Sequence, residues 1–104
     1  MDGYQITFYT QQDKRVAGRP IAEWLLDLAR ELDLPGATLI AATEGFGQHR
    51  RLHSAHFFEL ADQPQEIQVA VAAADAERLF ARLAAEGVEL FYVKSPVEFG
   101  VTGR

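Results

Sequence analysis

The chain has 104 residues, 48% of them hydrophobic and 24% charged, with a formal net charge of −5 and no cysteine. A chain of this length is expected to form one domain, residues 1–104, that removes about 65% of its unfolded surface from water. The balance excludes a disordered composition, a disulfide framework, a thiolate nucleophile and a zinc-thiolate centre. An acidic surplus disfavours nucleic acid and anionic membrane as general partners.

Met1-Asp2-Gly3-Tyr4 lacks a basic region followed by an apolar run, and nothing later approaches the roughly eighteen uninterrupted apolar residues of a membrane span. The expected location is therefore the cytoplasm, with no direct membrane insertion. Tyr4-Gln5-Ile6-Thr7-Phe8-Tyr9 alternates apolar and polar side chains and predicts a strand with one face on a core. A polar loop, Gln11 to Arg15, leads through Gly18 to Pro20, which suits the first position of a helix because its missing N–H would be unpaired there. Ile21, Trp24, Leu25, Leu28 and Leu32 fall on one helical stripe, and Leu34-Pro35-Gly36 ends it.

Residues 37–43 predict a second strand, rich in small side chains. His56 to Leu60 has strand character, Asp62-Gln63-Pro64 breaks it, and Ile67, Val69 and Val71 alternate inward over Glu66 to Val71, as two legs of one bent strand. Asp75 is the expected N-cap of a second helix burying Leu79, Phe80, Leu83 and Ala84, with Gly87 in the left-handed position past its end. Val88 to Val93 predicts the last strand. The order β-α-β-β-α-β defines an α+β, ferredoxin-like fold: an antiparallel sheet with both helices on one face. The other sheet face is then bare, and apolar residues expected on it predict a homo-oligomer packed sheet against sheet.

Between the second and third strands lies Glu44-Gly45-Phe46-Gly47-Gln48-His49-Arg50-Arg51-Leu52-His53-Ser54-Ala55-His56, which holds every histidine of the chain and its adjacent arginine pair. Residues 45–58 carry a formal +2 with no acid, leaving −7 for the rest of the chain. This stretch is expected as a loop or the tip of a long hairpin. Gly45 and Gly47 give two flexible positions where successive N–H groups can converge on an anion, or where a bulge or turn forms. Arg50, Arg51 and the histidines can add charge-assisted hydrogen bonds to a phosphate or carboxylate. The candidate ligand-binding residues are Gly45, Gly47, Gln48, His49, Arg50 and Arg51. His49, His53 and His56 also have a spacing that one face of a helix would bring together around a metal, but the flanks do not read as helix, and on a strand His53 and His56 face opposite ways. A basic segment at a subunit interface, paired with acids of a neighbouring chain, is a third use.

Catalysis has no comparable signature. Ser54 adjoins His53, yet adjacent residues on an extended chain point apart, and no G-x-S-x-G turn is present. The chain is expected not to be an enzyme. Trp24 and Phe80 fall on core-facing stripes rather than on a base-stacking surface. The strand aromatics Phe8, Tyr9, Phe57, Phe58 and Phe91 sit in too acidic a chain for an RNA-binding sheet.

Gly36 to Ile40, "EGFGQHRRLHSAHFFELAD", Pro64 with "EIQVAV", "YQITFYT", Pro20 to Leu25 and "LFYVKSPVEF" together resemble a small uncharacterised bacterial family classed as PII-like. Gly45-Phe46-Gly47 is similar to the Gly-Phe-Gly that opens the T-loop of PII signalling proteins. The resemblance implies a homotrimer that binds an adenine nucleotide between subunits and uses the loop to contact a transporter, channel or enzyme. Residues 44–56 would be a shortened T-loop. Three features depart from PII proteins: Ala84 to Gly87 is too short for their phosphate loop, Gln65 stands where they commonly carry lysine, and Ser95 to Gly103 lacks their arginines. A less charged ligand follows, such as AMP, a cyclic nucleotide or a small anion. The alternative resemblance is to the CutA proteins, metal-responsive trimers of the same fold, with the loop histidines as ligands.

Overall fold

A computed structural model describes residues 1–41 and 64–103 in full, together with the backbone course of residues 44–46 and 52–54. The first strand, β1 (Asp2–Gln11), is longer than its alternating centre predicts. Ile6 and Phe8 are buried, as the alternation requires. The polar loop that follows contains a tight hairpin absent from the sequence reading, β2 (Arg15–Val16) and β3 (Arg19–Pro20). Its turn residues Ala17 and Gly18 both take positive φ, 52° and 79°, as a two-residue turn matched to strand twist requires.

Helix α1 (Ile21–Glu31) starts one residue after the proline expected to open it. Pro20 stands at the N-cap in extended conformation because it is also the paired partner of Arg15 in the hairpin. Ile21, Ala22, Leu25, Leu28 and Ala29 are buried, and Trp24 packs half-buried against the same core. The helix stops before Pro35 and Gly36 are reached. Asp33 turns left-handed at φ 57°, and the Leu34 N–H donates to the Ala29 carbonyl at 2.9 Å.

Strand β4 (Ala37–Ala41) follows, and residues 42 and 43 of the expected strand lie outside the described residues. Two short strands, β5 (Glu44–Phe46) and β6 (Leu52–Ser54), pair with each other. The strand expected over 56–60 lies outside the described residues. β7 (Pro64–Ala72) begins at the proline expected to break it, which fits the tolerance of proline as the first residue of a strand. Ile67, Val69 and Val71 are buried, as expected.

Helix α2 (Ala73–Ala85) begins two residues before Asp75, so its N-cap is Ala72 and Asp75 lies in the first turn. There the carboxylate suits the positive end of the helix and accepts from Arg78 at 2.9 Å. Ala76, Leu79 and Leu83 are buried and Phe80 half-buried, whereas Ala84, expected inside, is exposed. Gly87 does take the left-handed position, at φ 66°, and the Val88 N–H reaches back to the Leu83 carbonyl at 3.0 Å. The last strand, β8 (Phe91–Glu98), starts later than Val88. Val88 and Leu90 instead pack against the core ahead of it, since pairing with β1 begins only at Tyr9 opposite Phe91.

The four long strands form one antiparallel sheet in the order β4-β7-β1-β8, the ferredoxin-like arrangement. The helices cover the face that carries Ile6, Phe8, Ile67, Val69 and Val71. On the bare face, register aligns Ile40, Glu66, Tyr9 and Phe91 in one row, and Thr38, Gln68, Thr7 and Val93 in the next. That face is therefore mixed rather than uniformly apolar. Ile40, Tyr9, Phe91 and Val93 are exposed on it, but Glu66 and Gln68 lie between them.

Candidate functional site

The segment singled out for ligand chemistry begins just beyond β4. Its backbone forms an antiparallel ladder separate from the main sheet, with Glu44 opposite Ser54, Gly45 opposite His53 and Phe46 opposite Leu52. This is the expected hairpin, and it brings Gly45 directly across from His53. Of the other candidates, Gly47, Gln48, His49, Arg50, Arg51 and His56 lie outside the described residues. Among the described residues, no three histidine or acidic side chains are grouped to hold a metal ion.

The charges of the helical layer are largely engaged with each other. Arg19 donates to Asp27 and, at 3.3 Å, to Glu23, and Arg30 meets the other Asp27 oxygen at 3.1 Å. The hydrogen bond from Arg19, with the nearby charges of Arg19 and Arg30, holds the Asp27 carboxyl below the ordinary carboxylate range despite partial desolvation. Arg78 is paired with Asp75, and Arg82 with Glu31 and Glu86.

Lys94 is different. It lies on the helix-facing side of edge strand β8, and its ammonium sits 4.2 Å from the centroid of the Tyr4 ring and 5.6 Å from that of Phe80. Phe80 also meets Tyr92 edge-on at 4.8 Å. An open cleft of about 420 Å³ is lined by Tyr4 together with Asp2, Gly3, Ala73, Pro96, Val97 and Glu98. Sequence reasoning missed this group because Phe80 reads as core and Lys94 is one charge in a strand. The available signal was the i, i+2 spacing of Tyr92, Lys94 and Pro96, which puts all three on one face of an edge strand.

The strand order and the helical layer define an α+β protein of ferredoxin-like fold. Residues 3–98 match the model of the family described as "Uncharacterized ACR, COG1993", DUF190, and the chain belongs to that family. A UPF0166 protein of Aquifex aeolicus (strain VF5) is 31% identical over 55 residues, a segment covering 53% of this chain and 52% of that relative. The matched segment thus spans about half the length of the relative. Among solved structures, CPII of Thiomonas intermedia K12 superposes with a TM-score of 0.71 at 16% identity, over 97% of this chain and 91% of that one. CPII is described as a nitrogen regulatory PII-like protein bound to ADP, AMP and bicarbonate. A Thermus thermophilus protein described as PII-like and signalling gives 0.67 at 16% identity, over 93% of this chain and 88% of that one. At such identities the likeness shows the fold alone. No helix among the described residues is long and apolar enough to cross a membrane.

Proposed function

We propose that this protein is a PII-like regulator, not an enzyme, that assembles as a homotrimer and binds a small anionic effector, an adenine nucleotide, at its subunit clefts. The effector biases the 44–56 segment between free and partner-bound arrangements, and the regulated partner is a transporter or channel. The observation that carries this reading is the β5–β6 ladder. The β5–β6 pair lies apart from the main sheet as an arm, and the glycine- and arginine-bearing residues 47–51 join its two strands in sequence, on a fold shared with a protein bound to ADP, AMP and bicarbonate. Gly45 and Gly47 supply close backbone approach, while Gln48, His49, Arg50 and Arg51 supply donors for a phosphate or an acidic partner surface.

Native mass spectrometry of the chain, alone and with AMP, ADP, ATP and cyclic nucleotides, tests the proposal. A trimer gaining nucleotide mass in stoichiometric steps supports it, as does weakened binding with the trimer intact in the Arg50→Ala, Arg51→Ala double variant. Dissociation of that variant into monomers would make the arm a structural element and remove its regulatory role.

A further inference from the structure

Most cations of the described residues already have a partner. Arg19, Arg30, Arg78 and Arg82 are engaged by carboxylates, and the Lys94 ammonium is held over the Tyr4 and Phe80 rings. Lys14 and Arg15 differ. Both are exposed, and neither is paired with a carboxylate among the described residues, although Asp13 adjoins them in sequence. The Arg15 guanidinium donates within its own turn to the Gly18 carbonyl, at a long 3.4 Å. A guanidinium has five N–H donors and an ammonium three, so most of this donor capacity faces water.

The backbone beneath the two side chains is fixed. The Lys14 N–H donates to the Gln11 carbonyl at 3.2 Å, and the Lys14 carbonyl accepts from the Ile21 N–H at 2.8 Å, which ties the β2–β3 hairpin to the end of β1 and the start of α1. Arg15 pairs with Pro20 across the ladder, and the left-handed Ala17 and Gly18 close it. The remaining cation of the hairpin, Arg19, is occupied by Asp27 and Glu23 of α1. Lys14 and Arg15 are thus a pair of free cations on a preformed mount, where binding costs side-chain freedom alone.

Register puts Ala41, Gln65 and Thr10 in one row at the end of the sheet. β1 therefore runs into the hairpin at the same end at which the chain leaves β4 for the 44–56 segment. At the opposite end of β1, Asp2 stands directly across from Glu98. An anionic partner is drawn to the hairpin end and repelled from the other. The surroundings of the pair also limit the form of the anion. Two cations on a narrow hairpin, flanked by Asp13 and with Glu23 and Asp27 at Arg19, match one or two carboxylates, and they set like charges against a broad polyanion such as nucleic acid or a lipid surface.

We infer that the β2–β3 hairpin is a docking point for an acidic segment of a partner protein, with Lys14 and Arg15 on its carboxylates. The inference rests on the regulatory reading and deepens it: the partner contacted by the 44–56 segment meets a second, fixed contact at the same end of the sheet, and that contact selects for acid.

The test is fluorescence anisotropy of a labelled hexaglutamate peptide titrated with the full chain, at low ionic strength and in about 1 M salt, where the Debye length is about 3 Å. The chains compared are the wild type, the Lys14→Ala, Arg15→Ala double variant, the Arg50→Ala, Arg51→Ala double variant and, as a control of equal formal charge, Arg78→Ala with Arg82→Ala. Circular dichroism of each checks the fold. The hairpin predicts that loss of Lys14 and Arg15 weakens the peptide about tenfold at low salt, that the control weakens it far less, and that high salt abolishes binding to all four. Equal weakening by the hairpin and control variants would reduce the effect to net charge and overturn the docking point. Loss in the Arg50, Arg51 variant alone would overturn the hairpin and leave the regulatory reading standing. Absence of peptide binding by the wild type, or binding only to vesicles containing phosphatidylserine, would overturn recognition of an acidic protein segment, while nucleotide uptake by the trimer remains the separate test of the regulator.

Discussion

Arg82 of α2 grips the Glu31 carboxylate at the end of α1 with both terminal nitrogens, at 3.1 and 3.2 Å from its two oxygens. The pair is bidentate and spans 51 positions of sequence, so it links the two helices of the layer rather than stabilising either alone. It is also exposed to solvent, where an ion pair contributes little because water competes and salt screens. Arg82→Gln is therefore expected to lower the thermal midpoint slightly at low ionic strength. The difference should close in about 1 M salt, where the Debye length is about 3 Å. Melting wild type and variant at both salt levels checks this, and a salt-independent gap would mean that the aliphatic stem of Arg82 contributes more than its charge.

Asp27 gives the acid limb of stability. Its carboxyl is held below the ordinary range first by the hydrogen bond from Arg19 and then by the charges of Arg19 and Arg30. The unfolded chain thus binds the proton at a higher pH than the folded one. The stabilisation is complete above the ordinary carboxylate pKa of about 4 and is lost as pH falls through and below it. Asp27→Asn should be less stable than wild type at neutral pH, and the two should converge on acidification. Urea denaturation at a series of pH values measures the convergence. A difference that persists unchanged into acid would show that the Asn substitution acts by some route other than charge.

Gly3 is a steric requirement of the fold. A Cβ there would overlap the Val71 carbonyl oxygen and lie 2.8 Å from the Phe99 ring. The first obstacle is backbone in the neighbouring strand, which cannot move aside without disturbing the pairing of Gly3 with Ala72. Gly3→Ala should cost about 3 kcal/mol of unfolding free energy, at the upper end of overpacking effects. Equilibrium denaturation reads the loss directly. Because Gly3 also lines the cleft beside Tyr4, the same substitution should alter that cleft.

The long elements were legible because their periodicity follows from burial. Ile67, Val69 and Val71 alternate, and Leu25 and Leu28 recur at helical spacing, since each has one face on a common core. Where one residue can serve two structures, sequence decides less. Pro20 fits a helix start, but pairing with Arg15 makes it the end of a hairpin, and the left-handed Ala17 in that turn has no side-chain signal. Asp75 fits an N-cap, yet the chain enters α2 directly from β7 at Ala72, leaving the acid to meet Arg78. The hairpin around Gly45 was readable from its flanking strands. The Lys94 group was not, because Phe80 and Tyr92 are far apart in sequence and meet only when α2 is laid across the sheet.

The bare sheet face makes the proposed assembly testable. Val93 is 48% exposed and aligned with Thr7, itself only 9% exposed, in the middle of that face. Register puts Phe91 and Tyr9 in the neighbouring row, where their rings meet edge-on at 5.6 Å. If this face packs against other copies, a carboxylate at position 93 must be buried there without a partner, at a cost of several kcal/mol per subunit. If the face is free, the same carboxylate stays in water and costs almost nothing. Val93→Glu is accordingly expected to convert the proposed homotrimer to a folded monomer, with a threefold fall in mass by sedimentation equilibrium and an unchanged helix signal by circular dichroism. A variant that keeps the wild-type mass would place the subunit contacts elsewhere, on the strand edges or the arm, and would leave the face open to some other partner.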